Sequence, residues 1–79
     1  MNNERRAMLR RASDMIAEAS QLIEQAQEGE QEAYENTPDS LKEGEAGQAL
    51  ERMADAIAEV LCTVNDAHGE LVELVEKAT

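Results

Sequence analysis

The chain has 79 residues, 42% of them hydrophobic, and carries 7 Lys and Arg against 18 Asp and Glu for a net charge of −11. Tyr34 is its only aromatic residue and Cys62 its only cysteine. That composition excludes a β-sandwich or barrel, which spends β-branched and aromatic residues on its sheets. It argues against a domain that clasps nucleic acid through a basic surface and against a small domain stapled by disulfides. A chain this short buries little of its surface and is marginal alone, so it needs a metal, a disulfide, very regular helix packing or a partner chain.

Residues 4–35 read as one long helix, dominated by Ala, Met, Leu, Glu, Gln and Arg, all strong helix formers. Three apolar rows repeat every seven residues: Leu9, Ile16 and Ile23; Ala12, Ala19 and Ala26; Met8, Met15 and Leu22. This is a heptad stripe, and its alanine row predicts a seam where a second helix approaches closely. Gly29 is a weak point near the end, at about 1 kcal/mol relative to Ala.

Residues 36–46 form the bend. Pro38 cannot continue a helix and biases Thr37 towards extended backbone. Asn36 or Thr37 followed by Pro38 also reads as a helix start, which predicts a short helical turn over residues 38–43 with Thr37 or Asn36 as its cap. Gly44 and Gly47 allow a second change of direction.

Residues 47–77 read as the second long helix. Leu50, Ile57, Val64 and Leu71 form one row; Met53, Val60, Ala67 and Leu74 a second; Ala54, Leu61, His68 and Val75 a third. Gly69 weakens it locally, but the stripe crosses that point in phase, which predicts a continuous helix. The expected fold is therefore all-α, a single antiparallel two-helix hairpin. Its stripes, with Leu9, Ile16, Ile23, Leu50, Ile57, Val60, Leu61, Val64, Leu71 and Leu74 as core and dimer positions, are too wide for two helices to cover. Pairing into a homodimeric four-helix bundle would cover them. Arg5, Arg6, Arg10 and Arg11 begin the first helix, and Glu70, Glu73 and Glu76 end the second. Antiparallel packing sets the two groups side by side. That leaves the arginines poorly placed as a phosphate-binding arm.

The sequence gives no basis for an enzyme or a cofactor. Metal sites need clustered donors, and the one His and the one Cys stand six residues apart. Asn65 occupies the position where a di-metal bundle would need the Glu of Glu-x-x-His68. Cys62 and His68 are too far apart along one helix for a nucleophile–base pair, and Glu45 lies inside the only glycine-flanked loop, where it would repel phosphate. Cys62 is expected as a spare exposed thiol, His68 as a packed histidine at the rim of the stripe. No long apolar stretch follows the basic start, and no apolar run exceeds three residues, as in Val60-Leu61-Cys62. These features predict a soluble, cytoplasmic protein with no membrane span.

The bend is the most distinctive surface. Residues 24–45 hold eight carboxylates and one Lys, a net charge of −7. Its bland role is to keep an apolar hairpin in solution. Its sharper role is an array of carboxylates standing in for a phosphate backbone, with Glu28, Glu30, Glu32, Glu35, Asp39, Glu43 and Glu45 meeting a basic protein surface. Tyr34 either packs on Leu41 or serves as an aromatic anchor.

The run Glu30-Gln31-Glu32-Ala33-Tyr34-Glu35-Asn36-Thr37-Pro38-Asp39-Ser40-Leu41, followed by Glu45-Ala46-Gly47-Gln48-Ala49-Leu50-Glu51, resembles small uncharacterised acidic helical proteins encoded by bacteriophages and bacterial mobile elements. The shared features are an acidic helix end, an aromatic two residues before Asn, then Pro, Ser-Leu, Glu-x-Gly and a second helix. In those proteins a charged residue often stands where Ala46 stands here. The resemblance implies a phage or mobile-element context in a bacterial cytoplasm and supplies no activity or binding residue. The expected function is a non-enzymatic protein-binding module, most concretely an anti-defence inhibitor of anti-CRISPR or anti-restriction type that blocks a basic nucleic-acid site on a host nuclease. It would bind no nucleic acid itself. The alternative is a structural or regulatory homodimerisation module, a coiled coil acting through its apolar stripe.

Overall fold

The computed structural model describes residues 1–77. Helix α1 (Asn3–Glu35) is joined through a single turn, α2 (Asp39–Lys42), to helix α3 (Glu45–Lys77). The two long helices pack antiparallel: Ser20 meets Asn65, Ile23 meets Ile57, and Arg10 lies beside Glu76 along one groove. The result is a rod of 59 × 14 × 13 Å.

Helix α1 begins where Asn2 Oδ1 accepts the Arg5 N–H at 2.8 Å, satisfying one of the amides that a helix start leaves unpaired. Glu4 in the first turn suits the helix dipole, and the following arginines oppose it. The Arg6 guanidinium folds back locally, donating to Asn3 Oδ1 at 3.0 Å and to the Met1 carbonyl at 3.4 Å. Gly29 does not interrupt the helix, which runs on to Glu35.

The bend is tighter than predicted, and its caps are assigned differently. Thr37 does not cap α2. Its Oγ1 donates to the Ala33 carbonyl at 2.9 Å, and its N–H donates to the Tyr34 carbonyl at 3.1 Å. The reason is proximity: the last turn of α1 offers carbonyls with no helical partner, and the hydroxyl of Thr37 lies over them. Pro38 therefore takes the N-cap position itself, and its carbonyl accepts from Leu41 N–H at 2.8 Å and Lys42 N–H at 3.1 Å.

Helix α3 starts at Glu45, two residues before the predicted start. The Gly44 carbonyl accepts the Gln48 N–H at 3.0 Å, and the Gln48 side chain donates to the Glu43 carbonyl at 3.0 Å, which closes the first turn early. Gly47 is thus inside the helix and makes no bend. It is buried under α2, and a Cβ there would lie 2.5 Å from Lys42 Cα and overlap the Lys42 carbonyl. Its lack of a side chain lets the two backbones touch. Gly69 has no neighbour within 4 Å of a would-be Cβ, and α3 passes through it unbroken.

The buried seam is slender. Helix α1 turns Leu9, Ser13, Ile16, Ser20 and Ile23 towards α3, while α3 offers Leu50, Ala54, Ile57, Leu61, Val64, Leu71 and Val75. Of the described apolar residues only Ala54, 2% exposed, and Val75, 6%, are fully buried. The predicted alanine seam is not the one that closes the hairpin. Ala19 and Ala26 are exposed, and serines take the small-residue positions opposite α3. Serines and alanines both flank the Leu9–Ile16–Ile23 row. The serine frame adds a hydrogen bond, with Ser20 Oγ donating to Asn65 Oδ1 at 2.6 Å, and a bond of this kind contributes about 0.5–1.5 kcal/mol.

Two glycines give opposite expectations. Gly47→Ala should destabilise the hairpin by about 1–3 kcal/mol, because the α2–α3 contact must open to admit the methyl group. Gly69→Ala should stabilise it by about 0.5–1 kcal/mol through helix propensity. Urea unfolding followed by circular dichroism measures both.

Candidate functional site

Two surfaces remain after the hairpin closes. The first is one flank of the rod. Successive heptad rows turn to the same side of both helices, so Met8, Met15 and Leu22 of α1 come alongside Met53, Val60 and Leu74 of α3. All six are between 52% and 67% exposed. Between the helices on this flank runs a groove lined by Ile23, Ala26, Met53, Ala56, Ile57 and Val60, without a polar side chain among them. Val60 and Leu74, expected as core or dimer positions, stand half exposed on this flank, because the α1–α3 seam has room for only two of the three rows of α3. The remaining predicted stripe residues, Leu9, Ile16, Ile23, Leu50, Ile57, Leu61, Val64 and Leu71, are half-buried along the seam.

The opposite flank is polar. Its groove is lined by Arg10, Ser13, Asp14, Val72, Val75 and Glu76, so the basic start and the acidic end do lie side by side. Nearby, Lys77 Nζ pairs with Glu73 Oε1 at 2.6 Å within α3. The two flanks therefore differ: one groove has no polar side chain, while the other sets charged residues around Val72 and Val75.

The second surface is the tip. Glu28, Glu32, Glu35, Asp39, Glu43 and Glu45 are all exposed around the bend. Glu30 differs from them. It follows Ile23 by one heptad and is half-buried at the end of the Leu9–Ile16–Ile23 row. Lys42 is held on the tip, with Nζ 3.6 Å from Asp39 Oδ1 and 5.3 Å from the centre of the Tyr34 ring. Tyr34 is half-buried under that cation, and Leu41 is 55% exposed.

Little chemistry gathers elsewhere. Among the described residues no three His, Cys, Asp or Glu side chains converge on a common point. Cys62 is exposed, and His68 is half-buried in the α3 row of Ala54 and Leu61; six residues of helix separate the two by roughly 9 Å of rise. No helix among the described residues is long and apolar enough to cross a membrane. No protein-family model, curated protein or solved structure matches the chain.

The apolar flank was readable from the heptads, but the engagement of Lys42 was not. Lys42 and Tyr34 are eight residues apart and meet only because Pro38 reverses the chain. Lys42→Ala should cost about 0.5–1 kcal/mol through the lost contact with the Tyr34 ring, the pair with the fully exposed Asp39 contributing little. It should also change the emission of Tyr34, the only fluorophore of the chain. Unchanged tyrosine fluorescence in the folded variant would refute the contact.

Proposed function

We propose that this chain is a non-enzymatic protein-binding module that works as a homodimer. Two hairpins close into a four-helix bundle over their apolar flanks and present an acidic tip to a basic surface of another protein. The observation that carries this reading is the flank itself, six large apolar side chains each more than half exposed on one side of a charged rod. Contiguous apolar surface of this kind marks an interaction site. The exposed area supports it. A compact monomer of 8.7 kDa would expose about 4,700 Å², and this chain exposes 5910 Å². Its radius of gyration of 17.7 Å compares with about 12 Å for a globular domain of this length.

The acidic tip gives the module a concrete form. Six exposed carboxylates, from the end of α1 through the turn to the start of α3, supply the negative charge of a surrogate for phosphates. The likeness of residues 30–51 to phage and mobile-element proteins suggests what they would displace. In this form the protein is an anti-defence inhibitor of anti-CRISPR or anti-restriction type, occupying a basic nucleic-acid site on a host nuclease. A second form, a regulatory dimerisation module whose working surface is the apolar flank, is favoured by Met8, Met15 and Met53, because methionines adapt to more than one partner. Salt separates the two forms: a complex made by the tip weakens steeply as ionic strength rises, and one made by the flank does not.

Sedimentation equilibrium should show a dimer at micromolar concentration, and the double substitution Met15→Glu, Leu22→Glu should yield a monomer. A cooperatively melting monomer of the unsubstituted chain at high micromolar concentration would exclude the assembly. Charge reversal to Lys at Glu28, Glu32, Glu35, Asp39, Glu43 and Glu45 should abolish capture of a basic nuclease while circular dichroism stays helical. Persistent capture would exclude phosphate mimicry.

A further inference from the structure

We infer that the two hairpins of the dimer lie with their bends at opposite ends, so that Arg5 of one copy meets Glu30 of the other. This rests on the dimeric reading above and adds its polarity and register. Two hairpins pressed together by the same flank have two choices, bends at one end or bends at opposite ends. A flank 59 Å by 14 Å projects about 800 Å², the area that each partner contributes to a standard stable interface. Either polarity satisfies that requirement, so charge and side-chain size decide between them.

Charge is distributed unevenly along the rod. The bend segment, residues 24–45, carries −7, whereas at the open end residues 1–11 carry +3 and Glu70, Glu73, Glu76 and Lys77 carry −2. With bends together, one −7 segment faces another across a gap comparable to the Debye length of about 8 Å at physiological salt. With bends opposed, each acidic tip faces the arginine-bearing end of the other copy.

Size complementarity points the same way. Opposed bends lay α1 antiparallel on α1. The large exposed residues Met8, Met15 and Leu22 then fall opposite the alanine row in a single register, Met8 on Ala26, Met15 on Ala19 and Leu22 on Ala12. Each large side chain has a small one to fill against, the pairing that a close helix interface needs. Ala19 and Ala26, left exposed by the hairpin, are covered here. The same register brings Arg5, exposed and one turn before Met8 and Leu9, alongside Gly29 and Glu30 of the other copy. Glu30 ends the Leu9–Ile16–Ile23 row half-buried at the far end of the flank. With bends together, α1 would instead lie on α3, and Arg5 and Glu30 would be separated by most of the rod.

The experiment places one spin label on the tip, through Ser40→Cys in a Cys62→Ser background, and measures label–label distances by pulsed dipolar spectroscopy. Opposed bends predict a distance on the order of the 59 Å rod length. A distance below about 25 Å, the span of two stacked helix layers and their labels, would overturn the polarity and leave the dimer standing. Absence of any dipolar signal would overturn the dimer as well. The register is tested by charge exchange. Arg5→Glu and Glu30→Arg should each weaken self-association about tenfold, and the combined variant should recover it. Glu30→Arg is the sharper member, because it lowers the net negative charge and should strengthen association if only overall repulsion mattered. Failure of the combined variant to recover, with the long label distance retained, would overturn the Arg5–Glu30 register alone.

Discussion

Two helices packed side by side share only one seam, and every other feature of this molecule follows from that geometry. Each long helix has three apolar rows in its heptad, and a single neighbour can cover about two of them. The Leu9–Ile16–Ile23 row and the Leu50–Ile57–Val64–Leu71 row meet across the seam. The Met8–Met15–Leu22 and Met53–Val60–Leu74 rows are then forced onto the same flank, because antiparallel helices turn corresponding rows to the same side. No rotation of α1 or α3 removes the surplus; it only changes which row is left in water.

The seam itself is lean, and that connects packing to behaviour. Ala54, Val75 and Ser13 are its only fully buried described residues. Small residues let the helices come close, but they bury little area, at about 25 cal/mol per Å². Under the dimeric proposal, a hairpin held this lightly would gain stability from the copy that covers its flank, and folding would be coupled to association.

The tip is built by different means. Pro38 reverses the chain, Thr37 and Asn36 satisfy the last carbonyls of α1, and Gly47 lets α2 sit directly on α3. The turn is consequently short, and the carboxylates on it are carried by helical backbone instead of a long loop. Tyr34 and Lys42 brace it from inside. A strongly acidic end on a rod whose flank is apolar sets two kinds of surface apart, one along the length and the other at the end.

Periodicity and composition were enough to determine the class of fold, the two long helices, the reversal at Pro38 and the existence of surplus apolar rows, because each depends on local backbone preference or on seven-residue spacing. The continuity of α3 through Gly69 was legible for the same reason, since the rows stay in phase across it. Choices between equivalent frames were not legible. The alanine and serine rows both flank the Leu9–Ile16–Ile23 row, and only the position of Asn65 on the opposite helix, 45 residues away in the chain, favours Ser20 on the inside. The exposure of Val60 and Leu74, the half-buried place of Glu30, the contact of Lys42 with Tyr34 and the use of Gly47 for close approach were likewise decided by tertiary structure. Each depends on how one helix is rotated about its axis against another, and a single strand of sequence carries no record of that angle.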